Sequence, residues 1–281
     1  MMFERYAKRN SVRSRTAANG VLFFVLSFAL IGQESVADGG VATADPPPDE
    51  IVLGTNVFMQ GPLTVHRLTV GKIAANCYLV ADAQKNAIVI DPGASPERIR
   101  GYLAEQRLHV LAYVLTHSHL DHISALDELA EAVPAEIAMH PEENDWAFCA
   151  ENAWLPWYPR TRKVVITRPL RHLQSFTDGG LDYTVIHTPG HSPGSVCLWF
   201  LKGKVVFTGD TLFAGTVGRT DVHRSSTASL IRSLGVFLMM PPDTVIYAGH
   251  GKPTTVGGEM KNNPFMRDTP NPPKGQNKEK K

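Results

Sequence analysis

Residues 109–116 read HVLAYVLT, an apolar run fit only for burial, and the residues that follow read HSHLDH. A strand apolar on both faces belongs inside a sheet covered on both sides. Its end therefore delivers His117, His119, Asp121 and His122 to the rim of that sheet. Composition alone would place HxHxDH in a chain of this length about once in a thousand, so a merely solvated polar loop is a poor account. Imidazole and carboxylate donors suit Zn, Fe or Mn, and four of them in six residues can divide between two adjacent ions.

The flanking sequence alternates strands with helices. LTVHRLTV from Leu63, NCYLVAD from Asn76 and NAIVIDPG from Asn86 read as strands. Ser95 and Pro96 open a helix ending near Arg107, a second helix is expected over 123–132, and EIAMH is a short strand. The stretch 141–163 holds Trp146, Trp154, Trp157 and Tyr158 without clean periodicity and is a candidate cover for a pocket, with Trp154 and Trp157 as candidate substrate-lining residues. Strands over 181–187, 195–200, 204–208 and 244–248, with a helix over about 226–238, repeat the style of the first half. Three of these segments end in further donors: His191 in HTPGHSPGS, Asp210 in TGDTLF and His250 in AGHG. Loops at strand ends gather into sites.

With 281 residues, 43% hydrophobic and 20% charged, the chain can bury a sizeable core, which excludes disordered, collagen-like and coiled-coil readings. A formal net charge of +1 argues against a nucleic-acid partner. The basic excess sits in residues 1–37, where a basic segment precedes the apolar run 21–31 and the small triplet Ser35, Val36, Ala37. That is the pattern of a signal peptide, predicting an exported, periplasmic or secreted chain with no stable membrane span after processing. An uncleaved membrane anchor is the alternative, disfavoured because eleven residues cover about half of a roughly 30 Å hydrocarbon core. Residues 38–61 read as a Pro/Gly-rich spacer, 62–266 as the catalytic domain and 267–281 as a disordered polar tail. Cys77, Cys149 and Cys197 are too few for a disulfide framework, and Cys77 and Cys197 read as small core residues.

THSHLDH, HTPGHSPGS, TGDTLF, GRTD and AGHG, in this order, resemble the metallo-β-lactamase superfamily, most closely its glyoxalase II-like (hydroxyacylglutathione hydrolase-like) metallohydrolases. The resemblance spans about residues 63–266 and includes NCYLV, IDPG and NNPFM. It implies an α+β fold, the four-layer αββα sandwich. It assigns His117, His119 and His191 to one divalent metal, Asp121, His122 and His250 to a second, and Asp210 to the bridge between them. Zinc is the first expectation, with Fe or Mn as alternatives. The implied reaction is cleavage of a thioester or ester of a small-molecule acyl substrate by a metal-bridged hydroxide that Asp121 orients. Asp91 is implied as a support of the metal loop, Arg219 and Asp221 as loop ties, His187 as a turn residue, and His223 as a surface histidine or a substrate contact. Only 31 residues follow His250, fewer than the C-terminal helical domain with which glyoxalase II enzymes recognise glutathione, so broad acyl specificity is expected. A mononuclear-iron persulfide dioxygenase is the alternative function. A lactam or lactone hydrolase is disfavoured by the aspartate at 210, and a non-catalytic binding module by the completeness of the donor set.

Overall fold

The computed structural model describes residues 54–267 apart from Trp154 and Pro156. The leader, most of the spacer, Trp154 and the tail beyond Arg267 lie outside the described residues. Two sheets and their flanking helices make the αββα sandwich. The first sheet runs, in spatial and chain order, β1 (Thr55–Gln60), β2 (Leu63–Val70), β3 (Ala75–Ala81), β4 (Asn86–Ile90), β5 (His109–Val114), β6 (Glu136–Met139) and β7 (Arg168–Pro169). Among them lie α1 (Pro96–Gln106), α2 (Leu120–Ile123), α3 (Leu126–Ala132) and α4 (Pro141–Ala147). The second sheet is built from β8 (Ser175–Asp178), β9 (Leu181–His187), β10 (Val196–Phe200), β11 (Val205–Gly209), β14 (Val245–Ala248) and β15 (Thr254–Thr255), ordered β15-β14-β11-β10-β9-β8. Between β11 and β14 come a two-strand hairpin, β12 (Leu212–Phe213) and β13 (Thr216–Val217), and α5 (Thr227–Leu234). Helices α6 (Val256–Asn262) and α7 (Pro264–Arg267) follow β15.

The period of two along each strand decides the layers. On β3 and β4, Cys77, Leu79, Ala81, Ala87 and Val89 join the core beneath α1 and α3, where Ile99, Leu103, Leu126 and Leu129 are buried. The alternating residues Tyr78, Val80, Ile88 and Ile90 meet Val185, Leu198, Phe200, Phe207 and Tyr247 of the second sheet. Each buried large side chain there contributes about 1.5–3 kcal/mol. Helix α1 starts on Pro96, whose fixed φ and missing N–H suit the first helical position. It buries Ile99 and Leu103, four residues apart on one face.

Three expectations change. The spacer read over 38–61 ends before Thr55: Thr55–Gln60 pairs antiparallel with β2 in register from Thr55 opposite Leu68 to Gln60 opposite Leu63. As an edge strand with Val57 and Met59 exposed, it lacks the buried alternation that marks a strand in sequence. The helix over 123–132 breaks into α2 and α3 at Ala125, whose N–H turns to Pro92 O at 3.0 Å and so leaves the helical ladder that the Ser124 N–H, bonded to Leu120 O at 2.9 Å, still follows. The aromatic stretch begins with a helix, α4, started by Pro141 and capped by His140, whose ring accepts the Glu142 N–H.

Candidate metal centre

The strand ends put the donors together. Strand β5 stops at Val114, and the turn into α2 is fixed by Asp91, which follows β4 with φ 51°. One Asp91 oxygen accepts the Thr116 N–H at 2.7 Å, and the other accepts the Thr116 hydroxyl at 2.6 Å. Helix α2 carries Asp121 and His122 in its first turn. From the second sheet, β9 leads to His191, β11 to Asp210 and β14 to His250. The His250 loop is held across the sandwich, where Asn76 donates to Ala248 O at 3.0 Å and Gly251 O at 2.9 Å, and Tyr78 donates to Ala248 O at 2.6 Å.

All seven expected side chains converge in two adjoining groups. His117, His119 and His191 offer ring nitrogens within 4.8 Å of one another, with His119 Nδ1 only 2.8 Å from His191 Nε2. Asp121, His122 and His250 form the second group, in which Asp121 Oδ2 lies 3.0 Å from His250 Nε2 and 3.4 Å from His122 Nε2. Asp210 stands between them, one oxygen 3.5 Å from His122 Nε2 and the other 3.5 Å from His191 Nε2 and 3.8 Å from His250 Nε2.

The outward ring nitrogens explain why the inward ones are bare. His122 Nδ1 donates to Asp91 at 3.1 Å, His191 Nδ1 donates to Arg219 O at 2.8 Å, and His117 Nδ1 donates to the Thr116 hydroxyl oxygen at 3.1 Å, whose proton Asp91 already takes. With its outward nitrogen so committed, each ring turns Nε2 inward as its remaining ligand atom. His117 Nε2, His122 Nε2 and Asp210 Oδ1 are buried without a hydrogen-bond partner. Orphaned buried polar atoms are costly and rare, and cations would satisfy all three. Asp91, His117 and His122 also group tightly, but the Asp91 oxygens are taken by Thr116 and His122, so Asp91 holds the loop rather than facing the centre.

Electrostatics divide the two groups. Burial, reinforced by neighbouring imidazoles, pushes His117 well below its usual range and His119 down to about 3. Burial also opposes charge on His122 and His250, yet the Asp121 and Asp210 carboxylates outweigh it and raise both. Asp121 is held well below the usual carboxylate range, burial notwithstanding, by His122 and His250. The two carboxylates thus favour positive charge in this half of the centre, which a cation would supply.

The metallo-beta-lactamase superfamily profile matches residues 70–250. The chain belongs to this superfamily. Proteins similar to it include the probable metallo-hydrolase YqgX of Bacillus subtilis (strain 168), 38% identical over 208 residues, 71% of this chain and 96% of that protein. Hydroxyacylglutathione hydrolase GloC of Haemophilus influenzae is 32% identical over 219 residues, covering 73% and 98%. Among solved structures, BLEG-1 B3 metallo-beta-lactamase is 35% identical with TM-score 0.68, covering 71% of this chain and 98% of that one. TTHA1623 in a di-iron-bound form is 36% identical with TM-score 0.64 and the same coverages. As members of this superfamily do, the chain presents His/Asp clusters suited to divalent metals, and its relatives mark it as a metal-dependent hydrolase.

The remaining polar residues sort by contact. Arg219 and Asp221 pair at 2.7 and 2.9 Å. His187 ends β9, stacked on His140, and its Nε2 lies 2.8 Å from Pro193 O. His223 stacks on Trp146, with Arg224 also over that ring. Trp157 packs against the first core, with Lys72 over its ring. All three cysteines are free; Cys77 and Cys197 are fully buried, which pushes both thiols up, Cys197 to about 12. Sequence reasoning missed the residues that brace the centre: Asn76, Tyr78, Thr116, Ser118, Glu143 and Asn152. Their only sequence signal is a place beside a donor or in a segment later found to pack on one.

Proposed function

We propose that this chain is a glyoxalase II-like hydrolase that cleaves a thioester or ester of a small-molecule acyl substrate with two divalent ions. His117, His119 and His191 would hold one ion, Asp121, His122 and His250 the other, and Asp210 would bridge them. The observation that carries this reading is the Asp210 carboxylate, placed within 3.5 Å of an inward nitrogen of each group. Two divalent ions supply an acidified water and a Lewis acid toward the substrate carbonyl at neutral pH. Asp121 contributes an ionised carboxylate beside His122 and His250 that accepts a hydrogen bond from the attacking water and so orients it. Asp91, Arg219 O and Thr116 keep three rings turned with Nε2 inward. The likeness to GloC supports a thioester substrate.

Zinc is the proposed metal, which the five imidazoles and two carboxylates suit; the di-iron form of TTHA1623 supports iron as the alternative. A second reading, lactam hydrolysis, is favoured by the likeness to BLEG-1. Steady-state assays on small acyl thioesters, esters, lactones and lactams separate the two. Thioester or ester turnover that exceeds lactam turnover supports the proposal, and the reverse order overturns it.

Export is proposed from the leader pattern of residues 1–37. Among the described residues no helix is long and apolar enough to cross a membrane. Mass spectrometry of the native protein should find the N-terminus near residue 38; an intact Met1 in a cytosolic fraction would refute export.

A further inference from the structure

The aromatic stretch after β6 does its most specific work with a carboxylate. Glu143 on α4 is fully buried, and its two oxygens reach two different donor loops. One accepts both the N–H of Ser118, at 3.1 Å, and the Ser118 hydroxyl, and the other accepts the N–H of Gly194 at 2.6 Å. Ser118 lies between His117 and His119, and Gly194 is three residues beyond His191. The carbonyl of Ser118 is held as well, by the Asn152 side-chain amide at 2.7 Å, while the same amide group donates to Ala147 O at 3.1 Å. The Ser118 residue is thus fixed at its N–H, its hydroxyl and its carbonyl by a single insertion.

Gly194 shows that this approach is built in. A Cβ on that residue would fall 2.6 Å from Glu143 Cγ and 2.9 Å from its Oε1, so any side chain there would displace the carboxylate. A buried charge is retained only where its hydrogen bonds are complete, and here three donors converge on it.

From this we infer that Glu143 is the positioning residue for the three-histidine group, setting the spacing of His117 and His119 against His191, with Asn152 as its partner. The inference rests on the proposed ligand set. Two loops from different sheets must bring His119 Nδ1 and His191 Nε2 to one ion, and Glu143 joins those loops directly. The Asp91 contacts fix His122 and Thr116 but do not reach the His191 loop.

The test is zinc affinity of the metal-stripped full chain, measured by competition with a chromophoric chelator, alongside the cobalt(II) absorption spectrum and the unfolding temperature of the metal-free protein. Glu143→Gln keeps the volume but turns one acceptor oxygen into a donor facing an N–H. It should weaken one of the two zinc ions by about 10–100-fold, retain the other and shift the cobalt spectrum. Glu143→Asp, one methylene too short to reach both loops, should not rescue it. Ser118→Ala, a milder change, should weaken the same ion and decides the matter if Glu143→Gln does not fold. Asp127→Asn removes a buried carboxylate paired with Arg162 and Thr161; it should lower the unfolding temperature and leave both affinities intact. Wild-type affinity for both ions in Glu143→Gln, or in Ser118→Ala if that is the only folded variant, would overturn the inference. A wild-type chain that takes up fewer than two ions would instead overturn the ligand set beneath it.

Discussion

Replacing Asp91 by Asn tests how the centre is tuned, because it changes hydrogen-bond direction at nearly constant volume. The native carboxylate is 2% exposed and accepts from the Thr116 N–H, the Thr116 hydroxyl and His122 Nδ1. If the new side-chain oxygen keeps the Thr116 N–H, its amide faces the other two partners, and both must now accept. The Thr116 hydroxyl then loses its acceptor, and His122 is driven to carry its proton on Nε2, the atom aimed into the centre. Losing hydrogen bonds to a charged acceptor costs about 1.5–3 kcal/mol of folding stability. The wrong tautomer should lower affinity for the ion at Asp121, His122 and His250 by about 10–100-fold, roughly 1.4–2.7 kcal/mol. Chelator competition reads the affinity directly. Thermal unfolding with saturating zinc checks it, since the gain in stability from bound metal should shrink by the same 1.4–2.7 kcal/mol or so. An Asp91→Asn variant that binds both ions with native affinity would refute the tautomer argument.

Two further changes probe other parts of the account. A Cβ at Gly249 would fall 2.2 Å from Asp210 Oδ1 and 2.7 Å from His122 Cε1, so Gly249→Ala should keep its circular dichroism but lose bound metal; full metal content would contradict the crowding. His140, half-buried and stacked on His187, is pushed down to about 4 by burial and then by that neighbour. The unfolded chain binds this proton near pH 6.5 and the fold refuses it until about 4, so the stabilising contribution is present above 6.5 and lost as pH falls toward 4. His140→Gln should therefore flatten the decline in unfolding free energy over that window, read by denaturant titration, by about 1 kcal/mol after discounting for solvent screening; an identical slope would count against the assignment.

The sandwich and the convergence of donors were legible because both depend on strongly patterned sequence. HVLAYVLT must be buried, and the donors at its end and after β9, β11 and β14 share one rim. The edge strand β1 was not legible, since four of its six residues face solvent and the other two are only partly buried, so no buried face alternates with an exposed one. Nor was the break at Ala125, which depends on the distant Pro92 carbonyl. Glu143 was hidden for a related reason: a glutamate in the first turn of a short helix looks solvated until the fold lowers it onto Ser118 and Gly194.

The proposed centre is one two-ion site made of two adjoining donor groups joined by Asp210. Metal analysis of the purified native chain, with Asp210→Asn beside it, tests this most directly. Two divalent ions per wild-type chain are expected, zinc foremost, and at most one in the variant. A single iron per wild-type chain with no second metal, or two ions retained undiminished in Asp210→Asn, would contradict it.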